Sequence, residues 1–227
     1  WGQIAIQGPE ALKLCDSIFT QHTNSPIKVS EMGKNEIRVG KFHNHTIMIA
    51  TTGYTGEKGC EVFIETNGTA DLWKALLSDP QTRALPIGLG ARDSLRTEMK
   101  FSLYGHEIDD TTNPYEATLG WAIKPAAKDF MGKAIILKAK ELGLKRKLIG
   151  FKMLERGIPR QGYELKTQSG EKIGVVTSGT HSPTLDEPVG IGYIATEFSK
   201  EGSEFFVDIR GKLVKACVVK TPFVNKG

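Results

Sequence analysis

Three short segments gather residue types that could do chemistry together. The first is Thr51-Thr52-Gly53-Tyr54-Thr55-Gly56-Glu57-Lys58-Gly59-Cys60-Glu61-Val62. Its three glycines let the backbone take positive φ or approach a flat ligand closely. Tyr54 can stack or hydrogen-bond at a pocket wall. Glu61 opens an apolar strand, where a carboxylate needs a partner. A glycine-rich hairpin with a solvated Glu61 fits the same pattern at least as well.

The second segment is Gly90-Ala91-Arg92-Asp93-Ser94-Leu95-Arg96-Thr97-Glu98. A cation near a helix N-terminus opposes the helix dipole, so Arg92 there suggests an anionic or acceptor-rich target. The equal alternative is a surface helix with an Arg96–Asp93 or Arg92–Glu98 salt bridge. The third is Thr112-Asn113-Pro114-Tyr115-Glu116-Ala117-Thr118-Leu119-Gly120-Trp121. Asn-Pro enforces an extended or turn conformation. Tyr115 and Trp121 could flank a heteroaromatic ligand, although core aromatics explain them more simply.

Other chemistries lack their motifs. Gly88-Leu89-Gly90-Ala91-Arg92-Asp93 starts like a dinucleotide loop but has Asp where the third glycine belongs, and no strand precedes it. No phosphate-loop or nucleophile-elbow pattern occurs. Histidines 22, 43, 45, 106 and 181 form no helical pair around a glutamate, and Cys15, Cys60 and Cys217 have no metal-ligand spacing. An odd cysteine count fits a reduced compartment. No metal site is expected, and no residue declares itself catalytic.

These segments need elements to hold them. Residues 3–7 alternate as a half-buried strand, Gly8-Pro9 breaks it, and a helix follows to about Phe19 with Leu12, Cys15, Ile18 and Phe19 on one side. Residues 37–39 and 46–50 read as strands around a turn at His43-Asn44, and residues 60–65 as a third strand. Thr69 can cap a helix to Leu77 that turns Leu72, Trp73, Leu76 and Leu77 inward. Residues 88–98 and 132–142 are further helices, residues 101–118 a loop and residues 121–123 a short strand. From Lys145 the texture changes to six short β-rich runs, at 148–153, 163–166, 172–176, 189–194, 205–209 and 213–219. The fold class is therefore α+β, an antiparallel sheet with packed helices followed by a small C-terminal β-barrel. The domains are 1–144 and 145–227.

The 227 residues carry a net charge of +4, with acids interspersed among the lysines. That excludes a dedicated nucleic-acid binder and allows an acidic ligand or partner. No apolar run approaches the roughly 20 residues of a membrane helix. Trp1 opens the chain two residues before a strand, which reads as a chain entered midway.

Several segments, in order, resemble the aminomethyltransferase family, the T-proteins of the glycine cleavage system. They are Gly53-Tyr54-Thr55-Gly56-Glu57, residues 90–96, Leu103-Tyr104-Gly105, Asn113-Pro114-Tyr115-Glu116 and Asp129-Phe130-Met131-Gly132-Lys133. Thr177-Ser178-Gly179, Ser182-Pro183-Thr184-Leu185 and Pro222-Phe223-Val224 complete the set. The resemblance implies the C-terminal two-thirds of such a protein, without the N-terminal third. It implies tetrahydrofolate as co-substrate, with Glu61 and Arg92 holding the pterin ring. Tyr54 and Trp121 match folate-lining positions less securely, and Phe101 falls where a tyrosine is common. The implied partner is the lipoyl-bearing H-protein, an often acidic carrier that Lys124, Lys128 and Lys133 could help to dock. The implied location is the cytoplasm, or the mitochondrial matrix in a eukaryote. The family's key aspartate has no counterpart here, since Asp93, Asp109 and Asp110 do not match it, so the isolated chain is expected to be inactive or nearly so. Competing expectations are the folate domain of a sarcosine- or dimethylglycine-oxidising enzyme, and a non-catalytic folate-binding or interaction module. An iron–sulfur assembly factor would need a cysteine that residues 128–132 lack.

Overall fold

The computed structural model describes residues 1–21 and 27–225, so His22 lies outside the described residues. The chain forms two compact units, residues 1–92 and 93–225.

In the first unit, β1 (Gly2–Gln7), α1 (Ala11–Gln21), β2 (Ile37–Phe42), β3 (His45–Ala50), β4 (Gly59–Ile64) and α2 (Thr69–Ser78) follow one another. The four strands form an antiparallel sheet in the order β1-β4-β3-β2. Period-two alternation sorts their side chains onto two faces. Ile4, Ile6, Ile47, Ile49, Val62 and Ile64 are buried in one core with Leu14, Cys15, Ile18 and Phe19 of α1 and Leu72 and Leu76 of α2. On the other face, register sets Ile37, Ala50, Glu61 and Ala5 in one row, and Val39, Met48, Phe63 and Gln3 in the next. Ile37 and Val39 are 64% and 67% exposed.

The helix α2 differs from expectation in two details. Gly68 is its N-cap and no side chain caps it. Thr69 instead turns its hydroxyl toward Gly2, where any added Cβ would collide with it. Leu72 and Leu76, one turn apart, are buried, while Trp73 is exposed. A ten-residue helix seats one narrow stripe, and Trp73 lies about 100° around from Leu72.

The helix α3 (Leu89–Glu98) crosses from the first unit into the second, which continues with α4 (Lys133–Glu141). Six antiparallel strands then follow. They are β5 (Arg146–Met153), β6 (Glu164–Lys166), β7 (Lys172–Ser182), β8 (Glu187–Ala195), β9 (Glu204–Ile209) and β10 (Lys212–Val219). They close into a barrel in the order β10-β5-β8-β7-β6-β9, which leaves the sheet without a free edge. Phe151 and Phe205 meet edge to face, 5.3 Å between ring centroids, inside a core of Ile, Val, Leu and Met side chains. The strand expected at 121–123 is a 3-10 turn, Gly120–Ala122. Bonds from Ala122 N–H to the Leu119 carbonyl and from Ile123 N–H to the Gly120 carbonyl satisfy the backbone locally.

Charged side chains tie α3 to the barrel. Arg96 is 1% exposed, and its guanidinium makes four hydrogen bonds and a further ion-pair contact. Nε and Nη2 reach Asp93, at 2.8 and 2.6 Å; Nη2 also donates to Ser178 Oγ at 2.7 Å. Nη1 donates to the Phe101 carbonyl at 3.2 Å and to Glu107 Oε2 at 2.8 Å. Glu98, fully buried, accepts from Ser182 Oγ, the Thr184 N–H and Thr184 Oγ1, and its carbonyl accepts the Phe223 N–H. A register shift between Val176 and Ser178 lets β7 present Ser178 to Arg96. The salt bridge Arg96–Asp93 thus forms, but as one arm of a buried network rather than on a surface helix. Glu98 pairs with the barrel's hydroxyls.

Arg96→Met should strand the buried Glu107 carboxylate. Breaking a buried pair from one side costs about 3–5 kcal/mol, so the urea midpoint should fall sharply, whereas Lys41→Met on the surface should barely move it.

Candidate functional site

Glu61 sits on β4 on the sheet face turned away from α1 and α2, half-buried. Gln3 Nε2 donates to its Oε1 at 2.9 Å, and Thr52 Oγ1 donates to its Oε2. An ionised carboxylate has about four lone-pair positions, so two neutral donors fix its plane and leave capacity for a ligand's N–H groups. Glu61 is therefore not a freely rotating hairpin glutamate, because Gln3 and Thr52 hold it in a defined orientation.

Gln7 organises the loop that precedes this strand. Its Nε2 donates to the Thr52 and Cys60 carbonyls at 3.2 and 3.1 Å, and its Oε1 accepts from Thr55 Oγ1 at 3.2 Å. The glycines of the loop divide their tasks. Gly56 adopts φ +74°, a left-handed conformation. Gly53 and Gly59 admit close neighbours from within the chain: an added Cβ would overlap the Gln7 amide at Gly53 and the Ile6 carbonyl at Gly59.

Tyr54 is half-buried in this loop, and the exposed Arg92 guanidinium lies 4.4 Å from its ring centroid. Stacking uses the face of a guanidinium and keeps its in-plane donors for hydrogen bonds. The first unit thus contains Glu61, Tyr54 and Arg92 from the candidate set, with Tyr54 and Arg92 in contact. Thr52 of the same segment joins them as an orienting group, with Gln3 and Gln7, which no motif announced. Gln3 and Gln7 carry a signal in retrospect, being polar residues on the face of β1 opposite the buried Ile4 and Ile6.

The other candidates belong to the second unit. Phe101 is half-buried, and both its N–H and its carbonyl bond to Arg96. Trp121 is 80% exposed in the 3-10 turn. Tyr115 lies under the Lys140 ammonium, 4.8 Å from its ring centroid. The three aspartates have structural work. Asp93 holds Arg96, Asp109 accepts from the Thr111 and Thr112 hydroxyls, and Asp110 accepts from Tyr104. His43 lies in the β2–β3 turn at φ +51° and His45 faces Glu65 at 3.4 Å, so the two share no strand face. Among the described residues, no group of three or more His, Cys, Asp or Glu is gathered to hold a metal ion, and no helix is long and apolar enough to cross a membrane. A hollow of about 400 Å³ on the barrel, lined by Glu155, Gln168, Phe198 and Phe206 among others, holds none of the five candidates.

Lys100 is the most perturbed cation. Burial, with help from the Lys147 charge and against the pull of Glu107, lowers its pKa to about 8. Its Nζ donates to Thr118 Oγ1 at 2.9 Å. A lysine depressed in the folded state penalises folding below that pKa, where both states are protonated. The penalty is relieved as pH rises from about 8 toward the unfolded value near 10.4, because the unfolded chain then binds more protons. Wild-type stability should therefore gain on Lys100→Met as pH rises from 8 to 10. Urea midpoints for the two proteins at matched pH values check this.

Residues 1–127 match the family described as GCVT N-terminal domain, and residues 146–225 match the Glycine cleavage T-protein C-terminal barrel domain. The chain is 66% identical over 227 residues to an aminomethyltransferase of Bdellovibrio bacteriovorus, covering 100% of this chain and 61% of that relative. It is 45% identical over 224 residues to an aminomethyltransferase of Phocaeicola vulgatus, covering 97% and 60%. A crystal structure of glycine cleavage system aminomethyltransferase T from Bartonella henselae matches with a TM-score of 0.80 at 34% identity, over 87% of this chain and 54% of that one. The chain spans about 60% of the length of the curated relatives it matches.

Proposed function

Because this chain belongs to the glycine cleavage T-protein family, we propose that it serves tetrahydrofolate-dependent aminomethyl transfer. Two observations support this reading: the Glu61 carboxylate oriented by Gln3 and Thr52, and the Arg92 guanidinium stacked on Tyr54. A pterin edge offers an N–H and an amino group side by side, which suits a carboxylate with two acceptor positions left. Arg92 supplies a planar fork of donors for ring acceptors or a carboxylate, and Tyr54 holds its plane. By resemblance to the family, Phe101 and Trp121 are proposed as further folate-binding residues, Phe101 without a hydroxyl. Bound tetrahydrofolate would supply the nitrogen that takes the one-carbon unit from an aminomethyl-lipoyl carrier, releasing ammonia and leaving 5,10-methylenetetrahydrofolate and the dihydrolipoyl arm. The residues described here position a ligand and balance charge. None of them is assigned as catalytic.

The proposed partner is the lipoyl-bearing H-protein. Residues 121–147 carry eight Lys and Arg against two acids, an excess of six in a chain whose whole net charge is +4. Trp121, Met131, Ile135 and Leu142 are exposed among these cations, and α4 buries none of its residues. A basic surface interleaved with apolar side chains suits an acidic carrier protein. The proposed functional division remains 1–144 and 145–227. The start of β5 at Arg146 supports it, although compactness alone divides the chain after Arg92. The bacterial relatives support a cytoplasmic setting.

Glu61→Ala should weaken tetrahydrofolate binding roughly 10- to 100-fold, the loss of charge-assisted hydrogen bonds worth about 1.5–3 kcal/mol. Calorimetric titration of both proteins checks it, and unchanged affinity removes Glu61 as the pterin anchor. Reversing Lys124, Lys128 and Lys133 to Glu should weaken carrier binding and flatten its salt dependence. Carrier binding that ignores both salt and these reversals would place the contact elsewhere.

A further inference from the structure

Cys15 of α1 and Cys60 of β4 are both fully buried, and their sulfurs lie 3.2 Å apart in the core between helix and sheet. Both are free thiols. A disulfide has an S–S bond of about 2.05 Å, so closure requires an approach of roughly 1 Å between side chains already facing each other. The shared hydrogen bond first, and burial second, raise the Cys15 pKa well above the usual thiol range, so that thiol rests protonated at neutral pH.

We propose that Cys15 and Cys60 are a redox modification site, an internal dithiol that closes to a disulfide when a peroxide reaches it. One thiol takes an oxygen from hydrogen peroxide to become a sulfenic acid, and one water leaves. The second sulfur attacks that sulfur and expels another water, so two thiols and one peroxide give one disulfide and two waters. Burial makes entry dependent on transient lifting of α1 from the sheet, which tunes the site to sustained rather than brief oxidation.

The bond would act on the hairpin that carries Glu61. The Cys60 carbonyl is held by Gln7 Nε2, the same group that holds the Thr52 carbonyl. Thr52 in turn donates to Glu61. Pinning Cys60 to α1 therefore restrains Gln7, Thr52 and Glu61 together. It also closes a loop between residues 45 positions apart, which constrains the unfolded chain.

The test is exhaustive hydrogen peroxide treatment of the whole chain, thiol blocking, and peptide mapping without reductant. The expected result is a peptide linking Cys15 to Cys60, a mass for that linked pair about 2 Da below the sum of its two thiol peptides, a higher melting temperature, and amide exchange at residues 52–61 slowed at least about 3-fold. Dithiothreitol should reverse all four changes, and Cys15→Ala and Cys60→Ala should each abolish them. Recovery of both cysteines as blocked thiols or as sulfinic and sulfonic acids overturns the proposal. So does a Cys15–Cys60 disulfide that leaves melting and exchange unchanged. None of these readouts uses folate, so they stand apart from the titration of Glu61.

Discussion

The second unit depends on one buried charge, the Arg96 guanidinium. A cation without water must find an acceptor for every donor. Arg96 finds them in Asp93, the Phe101 carbonyl, Glu107 and Ser178, which lie on its own helix, on the chain that follows and on the barrel. Each of those groups is fixed in return. Glu107 also accepts the Leu103 N–H, and its carbonyl accepts the Tyr193 hydroxyl of β8. The loop after α3 is irregular in backbone yet held by one guanidinium and one carboxylate. Such a network specifies a single arrangement more than it adds net stability, since an apolar core of the same volume could be as stable.

The first unit reaches order by a different route. Its apolar core packs both helices against one face of the sheet, and Gln3 and Glu61 sit on the other. Glu61 is oriented by neutral donors, Gln3 and Thr52, and not by a cation. A carboxylate held this way keeps its negative charge for a ligand, whereas an ion pair would have consumed it. Gln7 then links loop and strand, so the position of Glu61 is set by a chain of modest hydrogen bonds, each sensitive to small shifts.

Periodicity made most elements legible. The alternation of Ile4 and Ile6, the helical spacing of Leu12, Cys15, Ile18 and Phe19, and the turn signals of the last 80 residues all lead to the sheet, α1 and the closed barrel. Glu61, Tyr54 and Arg92 were legible as candidates because chemistry-bearing residues beside glycines are few. Their orienting partners were not, since Gln3 and Gln7 differ from any surface glutamine only through register with a strand more than 50 residues away. Arg96 and Glu98 read as a surface helix because burying charge is rare; the hydroxyls of Ser178, Ser182 and Thr184, over 80 residues on, complete the set of partners that makes it tolerable. Trp121 read as strand because its apolar neighbours fit one, but its backbone bonds close locally.

The barrel has no free edge, but the four-stranded sheet ends at β2. That strand shows Ile37 and Val39 to solvent on one face, with Arg38 and Lys41 spaced between and beyond them. Unpaired backbone with exposed β-branched side chains is a template on which another extended chain can add, and flanking cations oppose such addition by mutual repulsion. Colloidal behaviour is therefore written into six residues. High salt, which screens Lys41 while leaving Ile37 and Val39 as sticky as before, is the condition under which this sheet would start to grow by accretion of its own kind.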